Sequence, residues 1–284
     1  MDFRRSAIVL IVCFFFLDVF LFGLVWQKKV ESKTPLNSSI NVIDQMKQDG
    51  ITLPSLPSTD ETAPIIQLTP VSIGPGLNNL QNQIVSLEKN VITAELLPPI
   101  QLGLSTPINE ESFNALTNNK VLFGDKYVWS SYNATTRKVI YAQKADKLSI
   151  MDGTSQIIVT LNANDQAVSY EQTYAGNVQV LGNKRSLITA QSAVEVLFLA
   201  GKIPAKSIVS TVKLSYFQSL VLKEFSIYSP AWYVEIRQAD GQLVARRVDA
   251  IHGTVLTNET LETTNTQTQR TTPNNTTTQT VQQQ

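Results

Sequence analysis

An almost unbroken apolar run near the amino terminus constrains this chain more than any other feature. It occupies residues 7–26, with the sequence AIVLIVCFFFLDVFLFGLVW. An α-helix of about twenty residues is long enough to cross the roughly 30 Å hydrocarbon layer of a bilayer. Only a helix satisfies its own backbone hydrogen bonds within one lipid-exposed segment. The run therefore predicts a transmembrane helix over residues 7–26, preceded by a short terminus at residues 1–6.

A cleaved signal peptide is the alternative interpretation of this run. The apolar segment of a signal peptide usually has about 7–15 residues and ends at a small-residue cleavage site. Here the run is longer, and the chain continues directly into residues 26–29, WQKK. We therefore interpret the run as an uncleaved anchor. Arg4 and Arg5 precede it and Lys28 and Lys29 follow it, so the positive-inside rule leaves its orientation open.

A single carboxylate, Asp18, lies just past the middle of the apolar run. In lipid, a carboxylate at such a position costs about 2.5–3.5 kcal/mol. Helical spacing surrounds it only with Phe14, Phe15, Leu21 and Phe22. One interpretation is that these residues contact another membrane helix, which meets Asp18 with a polar group. The other is that Asp18 is protonated, or that the helix shifts in depth.

The rest of the chain contains little of the chemistry that enzymes use. The sequence has one His and one Cys, and 23 basic residues balance 23 acidic ones. Balanced charge without a basic patch argues against nucleic-acid binding. His252 lies in a predicted turn and Cys13 lies in the apolar run, so a His/Cys zinc site is excluded. We predict no catalytic residue, no cofactor and no metal.

The first half of the remaining chain shows helical patterns separated by proline-rich segments. Apolar spacing predicts short helices over residues 40–48, 77–91 and 110–118. Prolines recur through residues 51–76, and they predict extended chain with one short strand at residues 65–68.

From Lys120 onward the hydrophobic period changes to two, which is typical of β-strands. A helix over residues 188–200, capped by Thr189 and stopped by Gly201, divides the strands into two groups. Asp240-Gly241 predicts a hairpin between the last two strands. The predicted strands are residues 121–123, 127–132, 138–145, 157–161, 168–174, 208–217, 222–228, 231–237 and 243–250.

These patterns predict an α+β fold in which one N-terminal transmembrane helix precedes an extracytoplasmic domain of antiparallel β-meanders with short helices. A helix followed by a meander occurs twice, which leaves one domain or two similar subdomains open. The predicted segments are the terminus at residues 1–6, the transmembrane helix at 7–26, a juxtamembrane linker at 27–38, α+β regions at 39–176 and 177–257, and a disordered Thr/Asn/Gln-rich tail at 258–284.

Aromatic residues late in the chain offer a further candidate surface. Tyr228, Trp232 and Tyr233 surround Pro230. If Trp232 and Tyr233 are exposed, they form a contact for a partner of the outer domain. Aromatic residues that alternate along strands also pack inward, so a place in the core is the other interpretation.

Several segments of the chain resemble the YycI (WalI) family of low-GC Gram-positive bacteria. The first is the Met-Asp-aromatic start that runs directly into the membrane helix, and the second is residues 17–21, LDVFL. The third is the ending, residues 230–236 (PAWYVEI) followed by residues 248–253 (VDAIHG). The resemblance spans residues 1 to about 256. The helix-plus-meander ending, residues 177–257, is also similar to PepSY-like modules.

The resemblance implies a non-enzymatic, single-pass protein of the cell membrane with a cytoplasmic N-terminus and an extracellular domain. It further implies that the chain acts with a YycH-like single-pass protein on the sensor histidine kinase YycG (WalK). That kinase belongs to a two-component system that governs cell-wall metabolism. Asp18 matches the family's polar position in the helix, which favours a contact between membrane helices.

Two other classes of function stay open at this point. The outer part can be a ligand-binding or protease-inhibiting module, as is supposed for some PepSY-like domains, which the membrane helix merely tethers. A wall-acting enzyme with a carboxylate pair is the other class. The sequence places no two carboxylates together, which argues against it.

Overall fold

The computed structural model describes residues 14–20, 39–57, 61–102 and 120–256. The chain divides into two units, residues 1–45 and residues 46–284. Residues 14–20 are helical. Within the described ranges, no helix has the length and apolar character needed to cross a membrane. Most of the predicted span, the predicted helix at residues 110–118 and the predicted tail lie outside those ranges.

The second unit consists mainly of antiparallel strands with few helices, which agrees with the predicted β-rich α+β class. In the described residues from 39 onward, the helices are α1 (Ser39–Gln48), which crosses the boundary between the units, α2 (Gly74–Leu77) and α3 (Ala190–Leu199), with one 3-10 turn at Gly124–Lys126. The strands are β1 (Thr62–Thr69), β2 (Gln83–Glu88), β3 (Val91–Gln101), β4 (Tyr127–Asn133), β5 (Lys138–Ala145), β6 (Leu148–Ser149), β7 (Gln156–Leu161), β8 (Gln166–Gln172), β9 (Asn177–Ser186), β10 (Ile208–Val221), β11 (Ser226–Arg237), β12 (Leu243–Asp249) and β13 (Val255–Leu256).

Sheet 1 has the strand order β2-β3-β8-β7-β5-β4, and the short β6 pairs with β5. Along its inner strands, alternate side chains are buried, as the period of two in the sequence predicts. The core of this sheet includes Tyr141, Val159 and Tyr170, each no more than 1% exposed. The predicted meander of residues 127–174 is therefore confirmed.

Sheet 2 has the strand order β13-β12-β11-β1-β9, and β10 pairs with β11. Helix α3 packs on β10, β11 and β12. The helix begins as predicted, because the Thr189 hydroxyl accepts a hydrogen bond from the Ser192 N–H at 3.1 Å. It ends at the predicted Gly201, whose positive φ of 67° lets the chain turn away. This helix covers one face of the β10–β11–β12 meander.

The two sheets meet through both apolar and polar contacts. Ile66 and Tyr228 of sheet 2 share a buried cluster with Ala145 and Ile150 of the β5–β7 region. Beside it, the Gln218 N–H donates to the Asp152 carboxylate at 2.6 Å. Strand β1 precedes sheet 1 in the chain but pairs with β9 and β11 of sheet 2. The chain thus enters sheet 2, builds sheet 1 and returns to sheet 2.

The predicted helix over residues 77–91 is wrong. Leu77 is the last residue of α2, a turn follows it, and residues 83–88 form β2, which pairs with β3 in a hairpin. Lys89 and Asn90 join the two strands, both with positive φ, as a tight two-residue hairpin turn requires. Ile84 is 63% exposed, so the apolar residues that matched helical spacing do not face a core. Local turn chemistry and strand pairing outweighed the apolar spacing.

Two strand predictions also need correction. Residues 121–123 form a turn that leads into the 3-10 segment, and Phe123 has a positive φ of 53°. Residues 222–225 of the predicted strand 222–228 form the turn between β10 and β11, and the remainder joins the predicted strand 231–237 in one strand, β11, which runs through Pro230. On one edge of β11, β1 pairs as far as Tyr228 and β12 begins opposite Ala231. Pro230 lies in the gap between β1 and β12 on this edge. Its missing N–H therefore removes no hydrogen bond to either strand.

Candidate binding cleft

The three strands β10, β11 and β12 present two chemically different faces. On β11, Trp232, Val234 and Ile236 are buried on the side of α3. The intervening Tyr233 and Glu235 point to the opposite face, because successive side chains of a strand alternate. This second face carries polar, charged and aromatic groups, and it is the surface on which a ligand can bind.

A cleft of about 480 Å³ lies between this face of sheet 2 and strand β4 of sheet 1. We call it the β4 cleft. Its wall from sheet 1 includes the consecutive residues 129–133 of β4. Its floor from sheet 2 includes Thr211 and Lys213 of β10 with Tyr233, Glu235 and Arg237 of β11. Its volume lies within the range of about 300–1,000 Å³ that is typical of ligand sites.

Aromatic rings and cations approach each other across the cleft. The Lys213 Nζ lies 6.0 Å from the centroid of the Trp129 ring, which bridges the two sheets. At the inner end, the Arg247 guanidinium lies 5.8 Å from the Tyr233 ring and donates to the Met151 carbonyl at 2.7 and 2.9 Å. Burial lowers the pKa of Arg247, and the nearby Asp152 carboxylate opposes that effect.

The carboxylate on the floor is already engaged by neighbouring hydroxyl groups. The Ser210 hydroxyl donates to Glu235 Oε1 at 2.7 Å. Burial raises the pKa of the Tyr233 hydroxyl to about 12, and the negative charge of Glu235 acts in the same direction. Tyr233 therefore stays protonated at neutral pH and presents a neutral O–H beside the carboxylate. The cleft thus offers hydrogen-bond donors and cations rather than an acid–base pair.

Sequence reasoning did not single out Trp129, Lys213 or Arg237. All three lie within predicted strands, and no feature of the local sequence distinguishes them from their neighbours. The only available signal was alternation, which places residues 211 and 213 on one face of a strand. Nothing local indicates that this face meets β4, which is distant in sequence.

The whole-chain comparison decides the family. A family model described as YycI protein matches residues 30–251, well over half of the chain. The chain belongs to the YycI family. The resemblance seen in the sequence is thereby confirmed, and the match extends across both sheets of the fold.

The YycI family is a regulatory, non-catalytic family, and membership associates the chain with the YycG (WalK) histidine-kinase system. The family match begins after the apolar run of residues 7–26. The predicted membrane anchor and the predicted PepSY-like character of the ending stay predictions.

Other comparisons add little to this YycI assignment. A crystal structure of an uncharacterized protein from Eubacterium rectale is similar to 78% of this chain and 99% of that one, at 9% identity and a TM-score of 0.43. The comparison with curated proteins found no match.

The structure places some of the predicted contact residues of this YycI-family chain. Phe14, Phe15 and Asp18 lie on the helical stretch of residues 14–20, where Phe14 is 57% and Phe15 64% exposed. Leu21 and Phe22 lie outside the described residues.

The two aromatic candidates of β11 have different positions. Trp232 is 1% exposed, and its Nε1 donates to the Ile188 carbonyl at 2.9 Å. It therefore belongs to the core and is not available as an outer-domain contact. Tyr233, on the opposite face, is half-buried and lines the β4 cleft.

His252, the one histidine of the sequence, occupies the predicted turn. Its Nδ1 lies 3.0 Å from Asp249 Oδ2, and its own N–H donates to the same carboxylate. These contacts give it a structural role in the turn after β12. Among the described residues, no group of three or more His, Cys, Asp or Glu side chains can hold a metal ion.

Proposed function

We propose that this YycI-family chain is a membrane-anchored, non-enzymatic regulator of a YycG/WalK-type sensor histidine kinase. It acts together with a YycH-like single-pass protein, through contacts of its membrane helix and of its extracellular domain. The family match over residues 30–251 carries this proposal, since the family is regulatory and belongs to that kinase system. The resulting signal modulates cell-wall metabolism.

Asp18 is the residue that favours a contact between the membrane helix of this chain and a neighbouring membrane helix. It lies in an apolar stretch, and the side chains of residues 14–20 are exposed. A carboxylate in that position is costly in lipid. A polar partner on a neighbouring helix would recover about 1–2 kcal/mol of that cost. Association of helices is therefore favoured with Asp18 in place.

Replacing Asp18 by leucine is expected to weaken recovery of the partners about 5–30-fold, since the lost interaction is worth about 1–2 kcal/mol. The measurement is cross-linked co-purification from native membranes, with a tagged full-length chain as reference. A histidine kinase and a second single-pass protein are expected with the native chain. Val19→Leu is the matched control, because it alters the adjacent residue without removing a polar group.

A third chain carries an unrelated membrane helix in place of residues 1–26. Loss of the partners in this chain and in Asp18→Leu, with Val19→Leu unchanged, supports helix contact. Equal recovery from all chains would show that the outer domain carries the association and that Asp18 is incidental. Absence of any kinase from the native preparation would contradict the proposed function itself.

The proposed single-pass topology gives its own expected result. In a Cys13→Ser background, Lys202→Cys supplies the only thiol, at an exposed position after α3. A membrane-impermeant maleimide is expected to label it in intact cells, since the domain lies outside. Asp2→Cys in the same background is the control, and we expect labelling only after permeabilisation. The reverse pattern would contradict a cytoplasmic N-terminus.

A tethered ligand-binding or protease-inhibiting module is the second candidate function, and the β4 cleft is the observation that favours it. In that case the membrane helix acts only as an anchor. The chain with the exchanged helix would then keep its signalling activity in cells, whereas the first proposal requires that this chain lose it.

A further inference from the structure

Strand β4 forms one wall of the β4 cleft and is also an edge of its sheet. Within the described part of the chain, β4 pairs only with β5 and stands last in the order of sheet 1. Residues 129–133 all line the cleft. The pairing of β4 with β5 shifts register between Trp129 and Ser131, and the consecutive lining residues on both sides of this bulge run along the edge of β4 that faces away from β5. Such an edge presents backbone N–H and C=O groups to an added strand.

The charges at the cleft favour an anionic occupant. Lys213 and Arg237 are both exposed, and within the described chain neither forms an ion pair with a carboxylate. The carboxylate between them, Glu235, accepts from Ser210. Two cations therefore face one engaged carboxylate, which leaves a positive excess at the floor. A ligand with carboxylates would neutralise it at short range.

The wall also contains a donor without an acceptor. The Trp129 indole Nε1–H is buried and forms no hydrogen bond within the described residues. An unpaired buried donor costs free energy, and Trp129 lines the cleft. Because this N–H has almost no solvent-accessible surface, a peptide carbonyl along β4 reaches it only if the Trp129 side chain rotates on binding.

We propose that the β4 cleft binds an extended acidic peptide segment, which adds as a strand to the open edge of β4 and directs its carboxylates to Lys213 and Arg237. The five lining residues of β4 correspond to a peptide of about five residues, at roughly 3.3 Å per residue. The inference goes beyond the proposed kinase regulation, because any protein that supplies such a segment would be bound in the same way.

The test is isothermal titration calorimetry of the detergent-solubilised full-length chain. Two peptides with blocked ends are titrated in, Val-Glu-Val-Glu-Val and Val-Lys-Val-Lys-Val. We expect binding of the acidic peptide and at least about tenfold weaker binding of the basic one. Added salt is expected to weaken the acidic complex. A third peptide, Val-Glu-Pro-Glu-Val, lacks one strand N–H and should bind more weakly than its parent.

The variant Lys213→Glu/Arg237→Glu is expected to reduce affinity for the acidic peptide at least about tenfold and to improve that for the basic one. Lys184→Glu/Lys202→Glu makes the same charge change at exposed positions away from the cleft and is the matched control. If the double variant does not fold by circular dichroism, Arg237→Gln alone replaces it, with a smaller loss expected. Absence of binding by the native chain, equal binding of both charged peptides, or equal loss in the control would overturn the proposal. None of these outcomes depends on kinase co-purification.

Discussion

Gly176→Ala is expected to lower the free energy of unfolding by about 2–6 kcal/mol, the sum of backbone strain and steric overlap. Gly176 lies just before β9, where the chain passes from sheet 1 back to sheet 2. Its φ of +112° is a conformation that residues with a Cβ rarely adopt. A Cβ there would overlap the Thr69 carbonyl and lie 2.9 Å from the Pro70 Cα. Thr69 is the last residue of β1 and Pro70 follows it. The overlap can therefore be removed only if the pairing of β1 with β9 shifts.

Gly182→Ala is the matched control for this prediction. Gly182 lies within β9, six residues after Gly176, with a φ of +64°, and nothing lies within 4 Å of the position a Cβ would take. We expect a loss of only about 1–2 kcal/mol, from the left-handed backbone alone. Urea denaturation of the detergent-solubilised chain, followed by circular dichroism, measures both variants. Equal losses would show that steric overlap at Thr69 is not the cause.

Trp232→Ala is expected to cost about 3–5 kcal/mol of unfolding free energy, the range for removing a large aromatic side chain from a core. Trp232 is 1% exposed and is the largest fully buried side chain of the described chain. Its Nε1 donates to the Ile188 carbonyl at 2.9 Å, immediately before the cap of α3. The substitution would remove both packing under α3 and a hydrogen bond that holds its first turn. The same denaturation assay measures the loss.

Two variants separate these contributions of Trp232. Trp232→Phe retains most of the bulk but removes the N–H, so a loss of about 1–3 kcal/mol is expected from the unsatisfied Ile188 carbonyl. Tyr233→Phe, on the opposite face of β11, removes a polar group from the cleft and leaves the core intact. A Trp232→Ala chain as stable as Tyr233→Phe would contradict the assignment of Trp232 to the core.

The elements that the sequence predicted well are those with strong local signals. Thr189 and Gly201 bound α3 because a hydroxyl cap and a left-handed glycine act within one turn. The hairpin at Asp240-Gly241 formed for the same reason, with Gln238 and Gln242 closing the turn at 2.8 Å. Each of these signals depends on neighbouring residues only.

The elements that the sequence predicted poorly depend on distant partners. Residues 77–91 matched helical spacing, but β2 exists because β3 pairs with it across the Lys89-Asn90 turn. Pro230 suggested a break, but β11 continues because its neighbours on one edge change there. In both cases pairing between strands decided the outcome, and sequence periodicity cannot represent that pairing.

The same distinction between local signals and distant partners applies to the candidate site residues. The sequence grouped Trp232 and Tyr233 as one candidate surface, but in β11 they point to opposite faces, and the packing of α3 makes Trp232 part of the core. The β4 cleft had no sequence signal at all, because Trp129 and Lys213 belong to different sheets.

The sequence by itself determined the β-rich α+β class, the cap and end of α3, the last hairpin and the YycI family. These follow from periodicity, turn chemistry and short motifs, all of which act over a few residues. The tertiary structure alone decided that β1 joins sheet 2, that β11 is continuous and that β4 faces the floor of a cleft. Those features arise from contacts between residues far apart in the chain, whose free energy appears only once both sheets are assembled.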